Sequence, residues 1–397
     1  MIDQRGLLKP FRPEFFANPY AAYARLREDS PVCRVELPDG TPAWLVLREA
    51  DVRSALADTR LSVDRSCSRN SGYKGFSLPP ALDANLLNLD GDTHIRLRRL
   101  VMRAFTYRRI GDMRNDVIKA AERLSDKLDS SSTCDLVTDF ATPLPLQVIG
   151  DMFDVPEEHR RPFAAWVGTM FALERPQQVR DSIDNIHQFL LRLVAERRRE
   201  PGQDLLSALI AARDDHDRLT EDELVSLAFL LLSAGVQNVQ HLISNGIHTL
   251  LQHPEQLAEL RSEPSLLTSA VEELMRFAHP NQMSIRRFPT EPVQLGGVTI
   301  PAGDTVMLCV ASANRDPARY PDPDTFDIRR EDKSHLALGH GVHFCLGASL
   351  ARMETEATIG TLLRRFPNLS YAAPVEELQW RSTFRSRSLK ALPLRLK

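Results

Sequence analysis

The stretch HLALGHGVHFCLGASLARMETEATIGTLLRRF, residues 335–366, carries the most distinctive pattern in the chain. Cys345 follows a loop with glycines at 339 and 341, and the apolar periodicity from Leu350 to Phe366 predicts a helix after it. A cysteine at a helix N-terminus lies at the positive end of the helix dipole, which favours the thiolate over the thiol. The pattern therefore indicates a nucleophile or a metal ligand at Cys345.

Other interpretations of this cysteine fit the pattern less well. A cysteine that only fills space in a core does not need the three surrounding glycines, of which Gly347 is the last. A nucleophile needs a paired base, and His343 is the candidate, but the spacing fits no known nucleophile motif. A zinc site could use His340 together with His343 and Cys345, but these residues are closely spaced and a fourth ligand is missing.

The loop GHGVHFCLG, residues 339–347, resembles the cysteine-ligand loop of the cytochrome P450 family, of the soluble bacterial type. The resemblance extends over nearly the whole chain in that family's order of motifs. It implies a mainly α fold with smaller β regions, in a single domain over residues 1–397. It also implies haem b as cofactor, with the Cys345 thiolate as ligand of the iron on the proximal face and with Gly339, Gly341 and Gly347 forming the loop around it.

The segment VEELMRF, residues 271–277, places Glu273 and Arg276 on one helix face, three residues apart. Taken alone, they would be an ordinary surface ion pair worth under about 1 kcal/mol. The resemblance implies instead a buried structural triad near the haem loop. Its third member is expected to be Arg329, in the segment DTFDIRR at residues 324–330.

Haem carries two propionates that need cations or hydrogen-bond donors. His94 and Arg98, in the segment HIRLRR, are four residues apart and share a helix face. The resemblance implies that this pair binds the propionates, together with Arg287 and His343. Taken alone, each of these residues would more often be a solvated surface residue.

A long helix is predicted to begin at the capping-box residues Thr220 and Glu223 and to end at His253. The stretch from Leu224 to Pro254 contains no Asp, Glu, Lys or Arg, which is long enough to span a membrane. Its amides, serines and histidines would be costly in lipid, and no basic flank marks one end. The sequence therefore predicts a buried central helix of a large protein.

By the resemblance, this helix crosses the distal haem face, where the segment AGVQN lies at residues 234–238. Ala234 and Gly235 are expected to leave room for dioxygen and the porphyrin. Gln237 and Asn238 occupy the positions where the family usually has an acid and an alcohol. Side-chain amides donate and accept hydrogen bonds but do not titrate, so the usual proton relay is missing.

Three functions are compatible with this altered helix. The first is hydroxylation of a small organic substrate in secondary metabolism by a haem-thiolate monooxygenase. The second is oxidative C–C or C–N coupling or cyclisation of an aromatic substrate, such as a tryptophan-containing cyclodipeptide. The third is a haem-binding sensor or recruitment protein without turnover. The first two both require protonation of dioxygen, so the amides alone do not decide between them.

The resemblance places the substrate pocket between residues 66–88, the long helix, residues 280–285 and a C-terminal turn. Such a set of residues suits a partly polar ligand, such as a peptide-like or heterocyclic amide. Leu338 replaces an aromatic residue of the family, which predicts a modest change in the rigidity of the cysteine loop. The candidate substrate contacts are Phe229, Ser233, Gln237, Gln240, Asn281, Gln282, Phe384 and Arg385.

Arginines are concentrated near the predicted proximal face, in a chain that carries 50 basic and 53 acidic residues. The resemblance implies that this face docks an acidic ferredoxin, which receives electrons from NAD(P)H through a ferredoxin reductase. The arginines are Arg96, Arg98, Arg99, Arg103, Arg108 and Arg109.

The bulk composition narrows the class of protein. A chain of 397 residues with 43% hydrophobic residues can bury a large core, and its net charge of -3 does not indicate a nucleic-acid or membrane partner. Five scattered cysteines indicate reduced thiols, and the N-terminus lacks an apolar run, so a cytoplasmic location is expected. Strands are predicted about residues 30–50 and 290–312, with hairpin turns at residues 39–40 and 296–297.

Overall fold

A computed structural model describes residues 6–69, 78–170, 176–214 and 219–397 and consists mainly of helices. A turn of π-helix, Val137–Ala141, precedes the seventh helix. The predominance of helices over strands confirms the predicted mainly α fold. In chain order, helices α1 to α15 span Pro13–Ala17, Pro19–Asp29, Glu49–Ala57, Pro80–Asp83, Gly91–Ala104, Tyr107–Leu128, Pro143–Met152, Glu157–Thr169, Pro176–Arg199, Leu205–Asp214, Glu221–Gln252, Pro254–Ser262, Leu267–Ala278, Val310–Ala313 and Ala348–Arg365.

The strands are short and lie in small sheets. Strands β1 to β10 span Val32–Glu36, Pro42–Val46, Leu61–Ser62, Thr133–Asp135, Phe288–Pro289, Val293–Leu295, Val298–Ile300, Val306–Leu308, Ser370–Tyr371 and Pro393–Arg395. The two predicted hairpins are confirmed as the antiparallel pairs β1–β2 and β6–β7. Strand β8 pairs in parallel with β2, so the two predicted β-rich segments meet in one sheet of order β1-β2-β8.

The long central helix is confirmed as α11, which spans 32 residues. Its capping box is formed, since the Thr220 side chain accepts from the backbone N–H of Glu223 and the Glu223 carboxylate accepts from that of Thr220. Among the described residues, α11 is the one helix long and apolar enough to cross a membrane. More than half of its most apolar window is buried inside the protein, which is typical of a core helix.

Helix α15 positions the loop that carries Cys345. The predicted helix after this cysteine is confirmed, and it begins at Ala348. One face of α15 buries Leu350, Met353 and Ala357 in the same apolar cluster as Val236 of α11. Helices α6, α11 and α13 all pack against α15, and this packing fixes the loop relative to the central helix.

Candidate cofactor and substrate site

The Cys345 loop is held by its own backbone. Gly339 and Gly341 have φ values of 78° and 72°, in the left-handed region that other residues rarely adopt. A Cβ on Gly341 would also lie 3.0 Å from the carbonyl oxygen of Leu56. The N–H of Cys345 donates to the carbonyl of Leu338 at 2.9 Å, and the Leu338 side chain is buried. The two glycine torsions and this hydrogen bond define the path of the backbone that carries Cys345.

The Cys345 thiol does not ionise readily in this environment. Burial raises its pKa, whereas a hydrogen bond from the backbone N–H of Gly347 and the guanidiniums of Arg98 and Arg352 lower it. The balance remains upward, so the expectation that the helix end alone favours the thiolate needs correction. A thiolate at this position requires a further positive charge against the sulfur, such as a metal ion.

Buried side chains with unpartnered nitrogen atoms lie near the loop. His94 and Arg287 are 1% and 3% exposed, yet His94 Nε2 and the Nε and Nη1 atoms of Arg287 have no hydrogen-bond partner among the described residues. The pKa of His94 is lowered to about 4 and that of Arg287 to about 10, mainly because both side chains are buried. Donors left unpaired in a core are costly, so these atoms fit a bound group with carboxylates. Haem, with its two propionates, is such a group.

The other two expected propionate contacts are partly engaged within the protein. The Arg98 guanidinium donates to the carbonyl oxygen of Phe344 at 2.7 Å, which ties α5 to the Cys345 loop. His343 stacks on His94 with ring centroids 4.3 Å apart, and its Nε2 lies 2.8 Å from a carboxylate oxygen of Asp90. Asp90 also acts electrostatically on Arg287. The structure therefore brings all four expected residues together, and it adds Asp90, which sequence reasoning missed because its role depends on folding.

One face of α11 borders open space. Ala234 and Asn238 are exposed and Gln237 is half-buried, whereas Val236 and Val239 are buried in the core. Two of these expected residues, Ala234 and Asn238, are spaced i, i+4 and lie on the same side of the helix.

Gly235 does not leave room for dioxygen, and that expectation is corrected. A Cβ at this position would lie 2.4 Å from Ile149 Cδ1 in α7, and Ile149 is itself buried. The glycine therefore lets α7 approach α11 closely. The open face of the helix is formed by Ala234 instead.

The buried triad contains a different arginine from the one expected. The side chains of Glu273 and Arg276 are each about 2% exposed, and the guanidinium donates two hydrogen bonds, of 2.7 and 2.8 Å, to the carboxylate. Arg330, and not Arg329, is the third member, with its Nε 3.3 Å from the Glu273 carboxylate. Arg329 is half exposed and pairs at the surface with the carboxylates of α12 and the turn after it. Adjacent residues in this extended segment point in different directions, which the motif alone did not resolve.

The expected substrate contacts divide into two groups. Ser233 bonds to carbonyls of its own helix, Gln282 is buried and accepts from Tyr23, and Phe384 packs against Phe11, with their ring centroids 5.2 Å apart. Each of these three side chains already has a partner within the protein, and their assignment as substrate contacts stays a prediction. Phe229 is also buried.

The remaining candidates lie near the C-terminal turn or on α11. The backbone N–H of Gln282 donates to the carbonyl of Arg385, and Asn281 pairs with Ser386, so residues 281–282 and the turn are adjacent. Gln240 lies half-buried on α11. The loop expected at 66–88 falls partly at residues 70–77, which lie outside the described residues.

The arginine-rich region near Cys345 is smaller than the sequence indicated. Arg96 pairs with Glu223, Arg98 bonds to the loop and Arg109 bonds to backbone carbonyls. Arg99, Arg103 and Arg108 remain exposed. They lie beside an unusual set of exposed apolar side chains, which the sequence analysis missed. The apolar residues are Ile95, Met102, Tyr107, Val342 and Phe344.

Comparisons with known proteins agree with this geometry. A family model described as "Cytochrome P450" matches residues 17–370. The chain is 43% identical over 385 residues to the cytochrome P450 monooxygenase PikC of Streptomyces venezuelae, covering 96% of this chain and 92% of that protein. The structure of the tirandamycin C-bound P450 monooxygenase TamI matches with a TM-score of 0.91 at 38% identity, covering 98% and 100% of the two chains. CxnD, a P450 described for C–S bond formation in chuangxinmycin biosynthesis, matches with a TM-score of 0.88 at 36% identity, covering 100% and 98%.

Proposed function

The chain belongs to the cytochrome P450 family, and from that premise we propose that it hydroxylates a small organic substrate in secondary metabolism. The observation that carries this proposal is that the unpartnered buried donors of His94 and Arg287 lie together with His343 of the Cys345 loop. We propose further that residues 1–397 form one such domain and that the protein acts in the cytoplasm.

The residues of the proximal side bind and orient the cofactor. Cys345 would hold the haem iron, and the iron's charge would stabilise the thiolate that burial otherwise disfavours. His94, Arg98 and Arg287 would bind the propionates, and His343, held by Asp90, would flank them. When bound, haem supplies the chemistry of dioxygen activation, with electron density from the thiolate.

The residues of α11 control water and protons on the distal side. Ala234 and Asn238 are exposed on one side of α11, so with haem bound Ala234 would leave space on its distal side and Asn238 would present an amide to that space. Gln237 and Asn238 can order water through their N–H groups and carbonyl oxygens, but neither can release a proton of its own. Their role in the proposed reaction is to position water.

Electrons are proposed to come from NAD(P)H through a ferredoxin reductase and a ferredoxin. The exposed face of α5 beside the Cys345 loop combines Ile95 and Met102 with Arg99 and Arg103. A small apolar centre next to cations is suited to brief docking of an acidic protein. Such a partner would lie close to the cysteine that holds the iron.

Oxidative coupling is the second candidate. In that reaction the substrate loses two hydrogens and forms a new bond to carbon or a heteroatom, without receiving oxygen. Two observations support it: the amides at 237 and 238, and the similarity to CxnD. The substrate would then be an aromatic molecule with an amide, such as a tryptophan-containing cyclodipeptide.

Product mass with isotopic dioxygen tests these alternatives. Purified protein is supplied with ferredoxin, ferredoxin reductase and NAD(P)H, and with a panel that contains tirandamycin C and aromatic cyclodipeptides. A product heavier by one labelled oxygen supports hydroxylation. A product that has lost two hydrogens and carries no label contradicts it and supports coupling. NAD(P)H oxidation that releases only peroxide with every compound counts against both reactions.

A further inference from the structure

His241 lies on the open face of α11, one turn beyond Asn238. Ala234, Asn238 and His241 follow the spacing i, i+4, i+7, so their side chains lie in one line along the helix. His241 is half-buried, whereas its neighbour Leu242 is buried in the core. It is also four residues from Gln237 and three from Asn238, which places it within reach of both amides.

His241 is the one titratable side chain on this part of the helix. The sequence from Leu224 to Gln240 contains no Asp, Glu, His, Lys, Arg, Cys or Tyr, and neither does the stretch from Leu242 to Ile247. The next histidine, His248, is bonded through Nδ1 to the hydroxyl of Tyr371. By contrast, the buried Nδ1 of His241 has no hydrogen-bond partner among the residues described.

The environment keeps this imidazole neutral. Burial and, to a lesser extent, the positive charge of Arg381 lower the pKa of His241 to about 4. Arg381 is exposed and lies in the segment that leads to the C-terminal turn. It is the one charged group that acts on His241 in the described part of the chain. A neutral imidazole has one nitrogen that donates and one that accepts, so it can pass a proton on without keeping a net charge.

Hydroxylation consumes protons, and the side-chain amides of Gln237 and Asn238 do not supply them. In the balanced reaction, one dioxygen, two electrons, two protons and the substrate C–H yield the hydroxylated product and one water. The proposed redox partner delivers the electrons. The protons must come from solvent through the protein.

We propose that His241 is the proton-relay residue of the distal site, in place of the acid and alcohol that Gln237 and Asn238 replace. One ring nitrogen accepts a proton from a water molecule, and the other releases a proton to water ordered by the two amides. The relay therefore requires a buried water at Nδ1, which has no hydrogen-bond partner among the described residues. The imidazole ends neutral, and exchange of its tautomer prepares it for the second proton. This inference rests on the proposed oxygen chemistry of the site, but it applies to hydroxylation and coupling alike.

The C–O stretching band of the reduced carbon monoxide complex tests the position of His241 without turnover. His241→Gln removes the titratable ring, and His248→Gln is the matched control on the same helix. We expect the band to shift in His241→Gln and to stay in place in His248→Gln, because only the first imidazole faces the distal ligand. An unshifted band in His241→Gln would overturn the proposal.

The partition of electrons tests the relay itself. We expect His241→Gln to lower the fraction of NAD(P)H electrons found in product by about tenfold or more, with a matching rise in peroxide. His241→Asp restores a titratable group and should recover much of the lost fraction. If His241→Gln retains the wild-type fraction, or if Gln and Asp behave alike, His241 is not a relay. His241→Asn replaces the glutamine variant if that variant does not give the thiolate-type carbon monoxide spectrum.

This design separates the inference from the proposed function. If the wild-type product carries no labelled oxygen, the hydroxylase proposal fails while the electron partition still reports on His241. If no substrate turns over, the carbon monoxide band still decides whether the imidazole faces the distal ligand.

Discussion

The Cys345 loop and the middle of α11 are constrained in different ways. In the loop, the backbone carries the constraint: Gly339 and Gly341 require left-handed torsions, and the space beside Gly341 is filled by residues 56–57. In α11, the backbone is an ordinary helix and the exposed side chains Ala234 and Asn238 face open space. We expect a change in the loop to disturb the fold, and a change on this exposed helix face to affect chemistry more than folding.

This difference explains where the chain departs from its family's usual pattern. The cysteine loop keeps the pattern, apart from Leu338, which still packs in the core and accepts from the N–H of Cys345. The distal helix replaces an acid and an alcohol by Gln237 and Asn238 while keeping its capping box and its buried face. Proximal geometry is thus fixed by folding, and distal chemistry is open to variation.

The largest expected effect comes from the loop. Replacing Cys345 by Ser removes the sulfur ligand, so we expect the reduced carbon monoxide complex to lose its thiolate-type Soret shift and product formation to fall to background. Cys33→Ala, at a buried cysteine of β1, is the control and should keep both properties. A thiolate-type spectrum in Cys345→Ser would show that another residue holds the iron.

The triad behind the loop gives the next largest effect. Arg330 is about 10% exposed and donates to Glu273 and to three backbone carbonyls, so Arg330→Ala removes one cation from the buried carboxylate, which keeps its pair with Arg276, together with three hydrogen bonds and the packing of the side chain. We expect it to lower the free energy of unfolding by about 2 kcal/mol, from the lost hydrogen bonds and packing. Arg329→Ala, at a half-exposed arginine with surface partners, should cost under about 1 kcal/mol.

Denaturant unfolding of the two variants measures this contrast directly. A larger loss in Arg329→Ala than in Arg330→Ala would contradict the observed triad. Because the residues are adjacent and of one type, the pair controls for net charge and for position in the chain.

The sequence predicted the fold because the fold's main elements depend on local patterns, and the residues expected to bind the cofactor stay a prediction that the geometry supports. The glycine spacing around Cys345, the capping box at Thr220 and the turns of both hairpins are short-range signals. The errors arose where side-chain direction is set by tertiary packing. Gly235 faces Ile149 of another helix, and Arg330 rather than its neighbour reaches Glu273. The half-buried position of His241 likewise becomes visible only in the folded chain.

A smaller effect is expected at the exposed face of α5. Charge reversal at Arg99 or Arg103 should slow reduction by ferredoxin several-fold at low salt and weaken its dependence on salt, because electrostatic steering is lost. Arg180→Glu, at an exposed arginine of α9, is the control and should leave the rate unchanged. Stopped-flow reduction across a salt series measures the effect. Equal rates for all three variants and the wild type would exclude this face as the docking site.

Glu354 lies on α15, the helix that follows the Cys345 loop and packs against α11. It is fully buried, and neither carboxyl oxygen has a hydrogen-bond partner among the described residues. Burial raises the pKa of Glu354 well above its usual range. Between the pKa of the unfolded chain and that of the folded protein, the carboxyl group is therefore protonated in the folded state and ionised in the unfolded state.

The sign of the pH effect on stability follows from that difference. Above the pKa of the unfolded glutamate, the folded state binds one more proton than the unfolded state, so stability falls as pH rises, by about 1.4 kcal/mol per unit while the folded carboxyl stays protonated. Glu354→Gln removes this loss. The unfolding temperature of the variant should exceed that of the wild type by more at pH 7 than at pH 5, with Glu356→Gln on the same helix as control. A constant difference across this range would mean that Glu354 is ionised in the folded protein, and the packing of α15 against α11 would then have to contain a cationic or hydrogen-bonding partner for it.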